Sequence, residues 1–151
     1  MGKKIEIVFE KGGCFEMELF EKEAPKNCGT LCRALPIEGE AIHAAYSGQS
    51  VWMVTKDYIK VDDVHEENQK VLGNLPGTVG IESYPPATNL NRTELVFVYG
   101  PNYYPRTPFA GEKPLNRIGI IKDNLEGLLE VGKNIREYGK QKVTIREIAK
   151  K

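Results

Sequence analysis

The chain has 151 residues, 40% of them hydrophobic and 28% charged, which suits one folded domain with a buried core and excludes a disordered chain. Its 21 basic and 21 acidic side chains cancel, so no overall field draws the protein to nucleic acid or to an anionic membrane. Three cysteines, an odd number, argue against a disulfide framework. The N-terminus lacks the apolar run of a signal peptide, and no stretch is long and apolar enough to cross a bilayer. We therefore expect a single cytoplasmic domain over residues 1–151, with no nucleic-acid or membrane partner.

The first elements are predicted to be a β-hairpin and a helix. Apolar residues alternate with charged ones over two short runs, and the glycines of residues 11–13 suit a tight turn between them. The apolar positions are Ile5, Ile7 and Phe9 in the first run, and Phe15, Met17 and Leu19 in the second. A helix begins near Pro25, which suits the first helical position, and Pro36 ends it. Its apolar stripe is Cys28, Leu31, Cys32 and Leu35.

The middle of the chain is predicted to hold short strands between turns, at residues 41–46, 50–54, 78–82 and 94–99. Residues 100–114 contain four prolines and are interpreted as an ordered loop.

A strand, a helix and a last strand are predicted at the C-terminal end. The strands are residues 118–121 and 142–148, and Asp123 with Glu126 forms a capping box at the start of the helix. The buried side of this helix is predicted to be Leu125, Leu128, Leu129 and Ile135. Many short strands with only two helices favour a mainly β fold, a barrel or sandwich capped by helices.

Several segments, in the correct order, resemble the cyclophilins. They are residues 18–20, 24–27, 31–35, 66–68, 73–77, 119–122 and 142–145. The resemblance implies a closed antiparallel barrel of about eight strands with one helix over each open end.

The residues that make cyclophilins proline isomerases are altered here. Ile42-His43-Ala44 stands where the family has Phe-His-Arg, so the arginine that polarises the prolyl amide is absent. Thr93-Glu94-Leu95-Val96 replaces Ser-Gln-Phe-Phe, and the family's later histidine falls near Leu115. Arg92 or Arg117 could supply a guanidinium from another position, so a divergent isomerase stays open.

The sequence is more similar to small bacterial cyclophilin-like proteins with no assigned function. The matching residues are Ile42, His43, Tyr46, Trp52, Glu67, Asn68, Glu94 and Tyr99, and Arg117 stands near where that group often carries a histidine. The resemblance implies a shared pocket, and we expect Tyr46, Trp52, Asn68, Tyr99 and Arg117 to bind its ligand.

Three side chains are candidates for chemistry in this pocket. His43 has small neighbours and is suited to acid or base chemistry near neutral pH, or it is a hydrogen-bonded structural histidine. If Glu67 and Glu94 share a cavity, one carboxyl of the pair has a raised pKa and can exchange protons. Alternatively, each caps a loop or pairs with an arginine. Trp52 and Tyr46 would form the apolar wall, unless Trp52 belongs to the barrel core.

No cofactor or metal is predicted. Residues 62–67 are acidic but lack metal-ligand spacing, and Cys28 and Cys32 are explained by their helical stripe. No glycine-rich phosphate loop is present.

These observations lead to three hypotheses about the function of the protein. The first is a pocket that binds or acts on a small molecule, and whether it is catalytic stays open. The second is a divergent peptidyl-prolyl isomerase with a peptide partner. The third is a non-catalytic subunit of a homo-oligomer, which would present Tyr103, Tyr104 and Phe109 on an exposed loop.

Overall fold

A computed structural model describes residues 4–61, 69–70, 74–84, 92–107, 111–112 and 114–148. The described elements, in chain order, are β1 Lys4–Phe9, β2 Cys14–Leu19, α1 Pro25–Ala34, β3 Ile37–His43, β4 Gly48–Thr55, β5 Gln69–Lys70, β6 Thr78–Tyr84, β7 Arg92–Tyr103, β8 Arg106–Thr107, β9 Gly111–Glu112, β10 Leu115–Ile120, α2 Leu125–Tyr138 and β11 Gln141–Glu147.

Eight of these strands close into an antiparallel barrel. Their order is β2-β1-β11-β3-β4-β7-β6-β10, and β10 pairs back onto β2 to close the ring. The short β5 adds to β10, while β8 and β9 pair separately as a ribbon. The structure therefore confirms the expected mainly β fold, a closed barrel of about eight strands with two helices.

Alternation along the strands separates an inner from an outer barrel face. The hairpin residues Ile5, Ile7 and Phe9 are at most 2% exposed and belong to the main core. On β7, Leu95, Phe97 and Tyr99 join the same core, whereas Val96 and Val98 belong to a separate cluster. Since successive side chains of a strand point to opposite faces, this second cluster lies on the outer face.

Both helices pack on the main core. The buried apolar face of α1 includes Cys28 and Leu31. The buried apolar face of α2 includes Leu128, Val131 and Ile135. The start of α2 differs from the expectation, because Asn124 and not Asp123 caps the helix. The Asn124 Oδ1 accepts a hydrogen bond of 3.2 Å from the Gly127 N–H. Asn124 has a φ of 60°, a left-handed conformation that asparagine tolerates well.

Two strand boundaries and one apolar position were predicted wrongly. The strand expected at 41–46 runs from Ile37 to His43, set by its ladders with β11 and β4. The stretch 100–114 is not only a loop: β7 extends through Tyr103, which pairs with Gly48, and β8 and β9 follow. Leu125 was expected on the buried side of α2 but is 38% exposed, because it occupies the first helical position.

None of the helices in the described residues is long and apolar enough to span a membrane.

Candidate functional site

The outer face of the barrel carries an apolar cluster across β4, β7 and β10. Val96, Val98 and Leu115 are buried there, and the half-buried rings of Trp52 and Tyr103 pack against them. Trp52 belongs to this face because it pairs with Val96 in the β4–β7 ladder. The cluster is separate from the main core, so Trp52 is not part of the barrel interior.

Ionisable side chains adjoin this cluster on the same face. Glu94 lies two residues before Val96 on β7, and Glu82 faces it directly across the β6–β7 ladder. The Arg92 Nη2 donates to Glu94 Oε1 at 3.1 Å, and the Tyr84 hydroxyl donates to Glu82 Oε2 at 2.8 Å. We call the following six residues the outer-face site: Trp52, Glu82, Tyr84, Arg92, Glu94 and Tyr103.

Burial controls the electrostatics of the site. Glu94 is 2% exposed, and loss of hydration raises its pKa to about 7, with a further contribution from Glu82 and an opposing one from Arg92. Burial, together with the negative charge of Glu82, also raises the pKa of the Tyr84 and Tyr103 phenols, so both stay protonated at neutral pH. A carboxyl with a pKa near 7 can accept or give a proton under physiological conditions.

Two donors in the outer-face site are left open. Among the described residues, Trp52 Nε1 and Arg92 Nε are buried and have no hydrogen-bond partner. A buried donor without an acceptor costs about 1–3 kcal/mol, so natural proteins rarely keep one. Both side chains belong to the barrel face on which Glu94 lies.

His43 lies on the other face of the barrel. It follows Ala41 in the inward alternation of β3, and its ring meets Tyr99 edge-on at 5.6 Å between centroids. The His43 Nε2 is 2.7 Å from the Tyr99 hydroxyl, and Nδ1 is 2.8 Å from the Ala44 carbonyl oxygen. Because that carbonyl can only accept, Nδ1 carries the proton, and in the neutral ring Nε2 accepts from the tyrosine.

The residues expected in one pocket therefore fall into two groups. Trp52 and Glu94 share the outer face, whereas His43 and Tyr99 are together on the inner face, with both imidazole nitrogens engaged. One pocket was expected around His43, Trp52, Glu67 and Glu94. Alternation along β3 and β4 instead sends His43 inward and Trp52 outward, and Glu67 lies outside the described residues.

The remaining predicted residues lie elsewhere. Tyr46 is 58% exposed in the turn after β3. Arg117 on β10 places its guanidinium 5.3 Å from the centre of the Phe20 ring, a cation–π contact. Glu67 and Asn68, and the acidic segment 62–67, are outside the described residues. In the part of the chain that the structure describes, no three metal-ligating side chains come together.

Sequence reasoning did not assign Glu82, Tyr84 or Tyr103 to this site, and it expected Tyr103 on an exposed loop. One signal was available: Gly80, Glu82 and Tyr84 alternate, so the two polar residues share a face of their strand. Only the ladder register, however, places Glu82 opposite Glu94.

A groove of about 610 Å³ lies between the β1–β2 turn and α2, and no residue of the outer-face site lines it. Its walls include Lys11, Lys133, Asn134 and Tyr138. It contains neither of the open buried donors, so we place the candidate site on the outer face.

The closed eight-stranded barrel with its two helices defines the class of protein: this is a cyclophilin-like fold. The chain belongs to the DUF3830 family of proteins of unknown function, whose model matches residues 7–147.

Solved structures share the fold. A structure of McbB in complex with tryptophan aligns with a TM-score of 0.70 and 20% identity over 97% of this chain and 45% of McbB. The chain thus spans a little under half the length of McbB. The solution structure of the hypothetical protein AF2241 from Archaeoglobus fulgidus aligns with a TM-score of 0.61 and 21% identity over 97% and 95% of the two chains. A cyclophilin-type isomerase from Cryptosporidium parvum, studied with the dipeptide Ala-Pro, has a TM-score of 0.54 and 14% identity over 98% and 100%. The curated proteins contain no match.

Proposed function

We propose that the chain binds a small metabolite in the outer-face site and that Glu94 exchanges a proton with it. The observation that carries this proposal is the buried Glu94, whose pKa is raised to about 7, on the same barrel face as the half-buried Trp52. The Trp52 Nε1 and Arg92 Nε atoms on this face have no hydrogen-bond partner within the described residues. Ligand sites combine an apolar wall with a few placed polar groups, and the cluster of Val96, Val98 and Leu115 supplies such a wall.

The comparisons are consistent with this proposal. McbB, which shares the barrel, has been solved with tryptophan, a small amphoteric molecule. That observation belongs to McbB, and for this chain it supports only the choice of small metabolites as the first compounds to test.

The single tryptophan of the chain makes a direct test possible. The indole N–H of Trp52 gives one isolated signal in a ¹H–¹⁵N correlation spectrum, and an acceptor bound to it shifts that signal downfield. We expect at least one compound of a metabolite library to do so with saturation, and Arg92→Lys to weaken its binding because lysine lacks the planar fork of donors. The exposed Arg33 offers a matched control, Arg33→Lys, which should leave binding unchanged. A library in which no compound moves the indole signal would contradict the proposal.

Divergent peptidyl-prolyl isomerase activity is the second candidate, and Arg92 favours it. Its guanidinium lies on the outer face beside Glu94, the residue that stands where cyclophilins have glutamine. Isomerisation of a short prolyl peptide, with an authentic cyclophilin as the positive control, tests this function. Acceleration that is lost in Arg92→Lys would establish it, and a rate equal to the uncatalysed one would exclude it.

The hypothesis of an oligomeric subunit depends on exposed aromatic residues after β7. Tyr103 packs on the outer-face cluster and Tyr104 is half-buried, while Phe109 is outside the described residues. These two tyrosines therefore do not support the hypothesis of an oligomeric subunit. A gel-filtration mass equal to one chain would contradict that hypothesis.

A further inference from the structure

A second cavity of the protein is the groove between the β1–β2 turn and α2. Its volume is about 610 Å³, and it shares no lining residue with the outer-face site. One wall is the turn at residues 11–13, and the other is a face of α2 on which Gly127, Glu130, Asn134 and Tyr138 recur every three or four residues. Because an α-helix rises about 1.5 Å per residue, this second wall is about 16 Å long. The groove can therefore hold an elongated ligand.

Contacts beneath the groove hold its two walls together. Gln141, which is 3% exposed, accepts a hydrogen bond of 3.0 Å at Oε1 from the Lys11 N–H. Its Nε2 donates to Asn134 Oδ1 at 3.3 Å, so one side chain joins the turn to the helix. Gly13 allows this close approach, because a Cβ atom there would lie 2.9 Å from Val131 Cγ2. The groove is thus formed by the fold itself, as ligand sites usually are.

The charges along the groove cancel. Lys11 and Lys133 contribute two positive charges, and Glu130 and Glu137 contribute two negative ones. Lys133 and Glu130 already form an ion pair, with 3.7 Å between Nζ and Oε1. A ligand with a net charge would gain little here, because its attraction to one pair of residues is offset by its repulsion from the other.

Hydrogen bonding is the main interaction that this lining offers. The ammonium groups donate, the carboxylates accept, and the amide of Asn134 can do both. Among the described residues that line the groove, Val131 is the only one with an aliphatic apolar side chain, and it is buried. An apolar ligand would therefore find little surface to cover. A ligand with many hydroxyl groups fits better, since each hydroxyl donates and accepts.

An exposed aromatic ring lies at one end of the groove. Tyr138 is the last residue of α2 and is 71% exposed, so a face of its ring is open to a ligand. The face of an aromatic ring is apolar and carries partial negative charge, which attracts polarised C–H groups. Sugar rings combine such a C–H face with hydroxyl groups at their edge. We infer that the groove binds a neutral oligosaccharide, with one sugar ring on Tyr138 and the others hydrogen-bonded to Lys11, Glu130 and Asn134.

A panel of neutral tetrasaccharides tests this assignment on the intact chain. The panel contains maltotetraose, cellotetraose, mannotetraose and N-acetylated chitotetraose. Two charged relatives are compared with it, the cationic deacetylated chitotetraose and the anionic tetragalacturonic acid. Binding is followed in ¹H–¹⁵N correlation spectra by the backbone amide signals of Gly12, Gly13 and Gly127, which line the groove.

We expect at least one neutral tetrasaccharide to shift these amide signals with saturation, at a Kd below about 10 mM. The indole signal of Trp52 should stay in place, because Trp52 does not line the groove. Tyr138→Ala should weaken binding by about fivefold or more through loss of the stacked ring. Tyr46→Ala, at another exposed tyrosine, is the control and should leave binding unchanged. An increase of about tenfold in salt concentration should change the Kd by less than about twofold, because a neutral ligand has no charge to screen.

Failure of all four neutral tetrasaccharides to shift the groove signals would overturn the assignment. Tighter binding of either charged relative, a steep loss of affinity with salt, or unchanged binding in Tyr138→Ala would do the same. A sugar that moves only the Trp52 signal would also overturn it, and would place carbohydrate in the outer-face site instead. None of these results decides the proposed function, which depends on whether a small metabolite moves the indole signal.

Discussion

Glu94 on β7 lies directly opposite Glu82 on β6, and the two residues are only 2% and 6% exposed. Two carboxyl groups in this position cannot both ionise without cost, since little water reaches them and their charges repel. Arg92 offsets part of that cost for Glu94, and the Tyr84 hydroxyl donates to Glu82. Burial, with a smaller contribution from the charge of Glu82, therefore raises the pKa of Glu94.

Replacement of Glu94 by glutamine should change how stability depends on pH. The folded-state pKa of Glu94 is raised from 4.5 to about 7, so between these values the native state holds more protons than the unfolded state. The unfolding free energy therefore falls as pH rises through this window, by at most about 3 kcal/mol for this group. Glu94→Gln should match the wild type near pH 4 and become the more stable protein near pH 8.

Urea denaturation at both pH values measures this difference. Glu38→Gln, at an exposed position on β3, is the control and should show no such gain. A Glu94→Gln variant that is less stable than the wild type at pH 8 would mean that the ion pair with Arg92 outweighs the cost of burial.

Removal of the Tyr84 hydroxyl tests whether its hydrogen bond to Glu82 stabilises the protein. Tyr84→Phe deletes the donor 2.8 Å from Glu82 Oε2, and hydrogen bonds to charged groups contribute about 1.5–3 kcal/mol. We expect a loss of unfolding free energy of about this size at pH 7. Tyr46→Phe, at a 58% exposed position, should change stability by less than about 0.5 kcal/mol. Equal effects of the two substitutions would show that the hydroxyl does not support Glu82.

The pair formed by His43 and Tyr99 should lock one imidazole tautomer. Its geometry requires a proton on Nδ1, bonded to the Ala44 carbonyl, and an acceptor at Nε2 for the Tyr99 hydroxyl. Long-range ¹H–¹⁵N spectra should show this tautomer in the wild type. In Tyr99→Phe the Nε2 atom loses its donor, and the unfolding free energy should fall by about 1–3 kcal/mol. A mixture of tautomers in the wild type would contradict the assignment.

Gly132 should tolerate no side chain. A Cβ atom there would lie 2.4–2.5 Å from the Tyr99 ring, which is buried beneath α2 and held by His43. We expect Gly132→Ala to destabilise the protein by about 1–3 kcal/mol, the usual cost of overpacking.

Gly29 in α1 provides the matched control. Its added Cβ would meet only the end of the flexible Arg33 side chain, at 3.2 Å. Gly29→Ala should therefore stabilise the protein by up to about 1 kcal/mol through helix propensity. Thermal unfolding of the two variants should show shifts of opposite sign, and a neutral Gly132→Ala would show that the ring can move aside.

The local periods of the sequence predicted most of the fold. Alternation of Ile5, Ile7 and Phe9 with charged residues identified β1 and its buried face, and the structure buries all three. The helical spacing of apolar residues predicted both helices equally well. The N-cap of α2 is Asn124, one residue after the predicted Asp123. Boundaries such as the end of β3 were less predictable because pairing with neighbouring strands decides them.

The candidate site was only partly predictable. The departure from the cyclophilin pattern drew attention to Glu94, and the resemblance to the small bacterial cyclophilin-like proteins drew attention to Trp52. The structure places both residues on the same face. The same resemblance also suggested His43, which alternation along β3 sends to the other face. Strand periodicity divides the residues of each strand between two faces. It does not determine which faces of two neighbouring strands lie on the same side of the sheet.

The sequence by itself determined the class of fold, because hydrophobic periods and turn residues act over a few neighbouring positions. Only the tertiary structure decided that Glu82 faces Glu94, that Arg92 keeps an open Nε, and that His43 is bonded to Tyr99. The His43–Tyr99 contact joins residues 56 positions apart in the chain. Such contacts depend on barrel closure and ladder register, which arise from the packing of the whole chain and leave no local pattern in it.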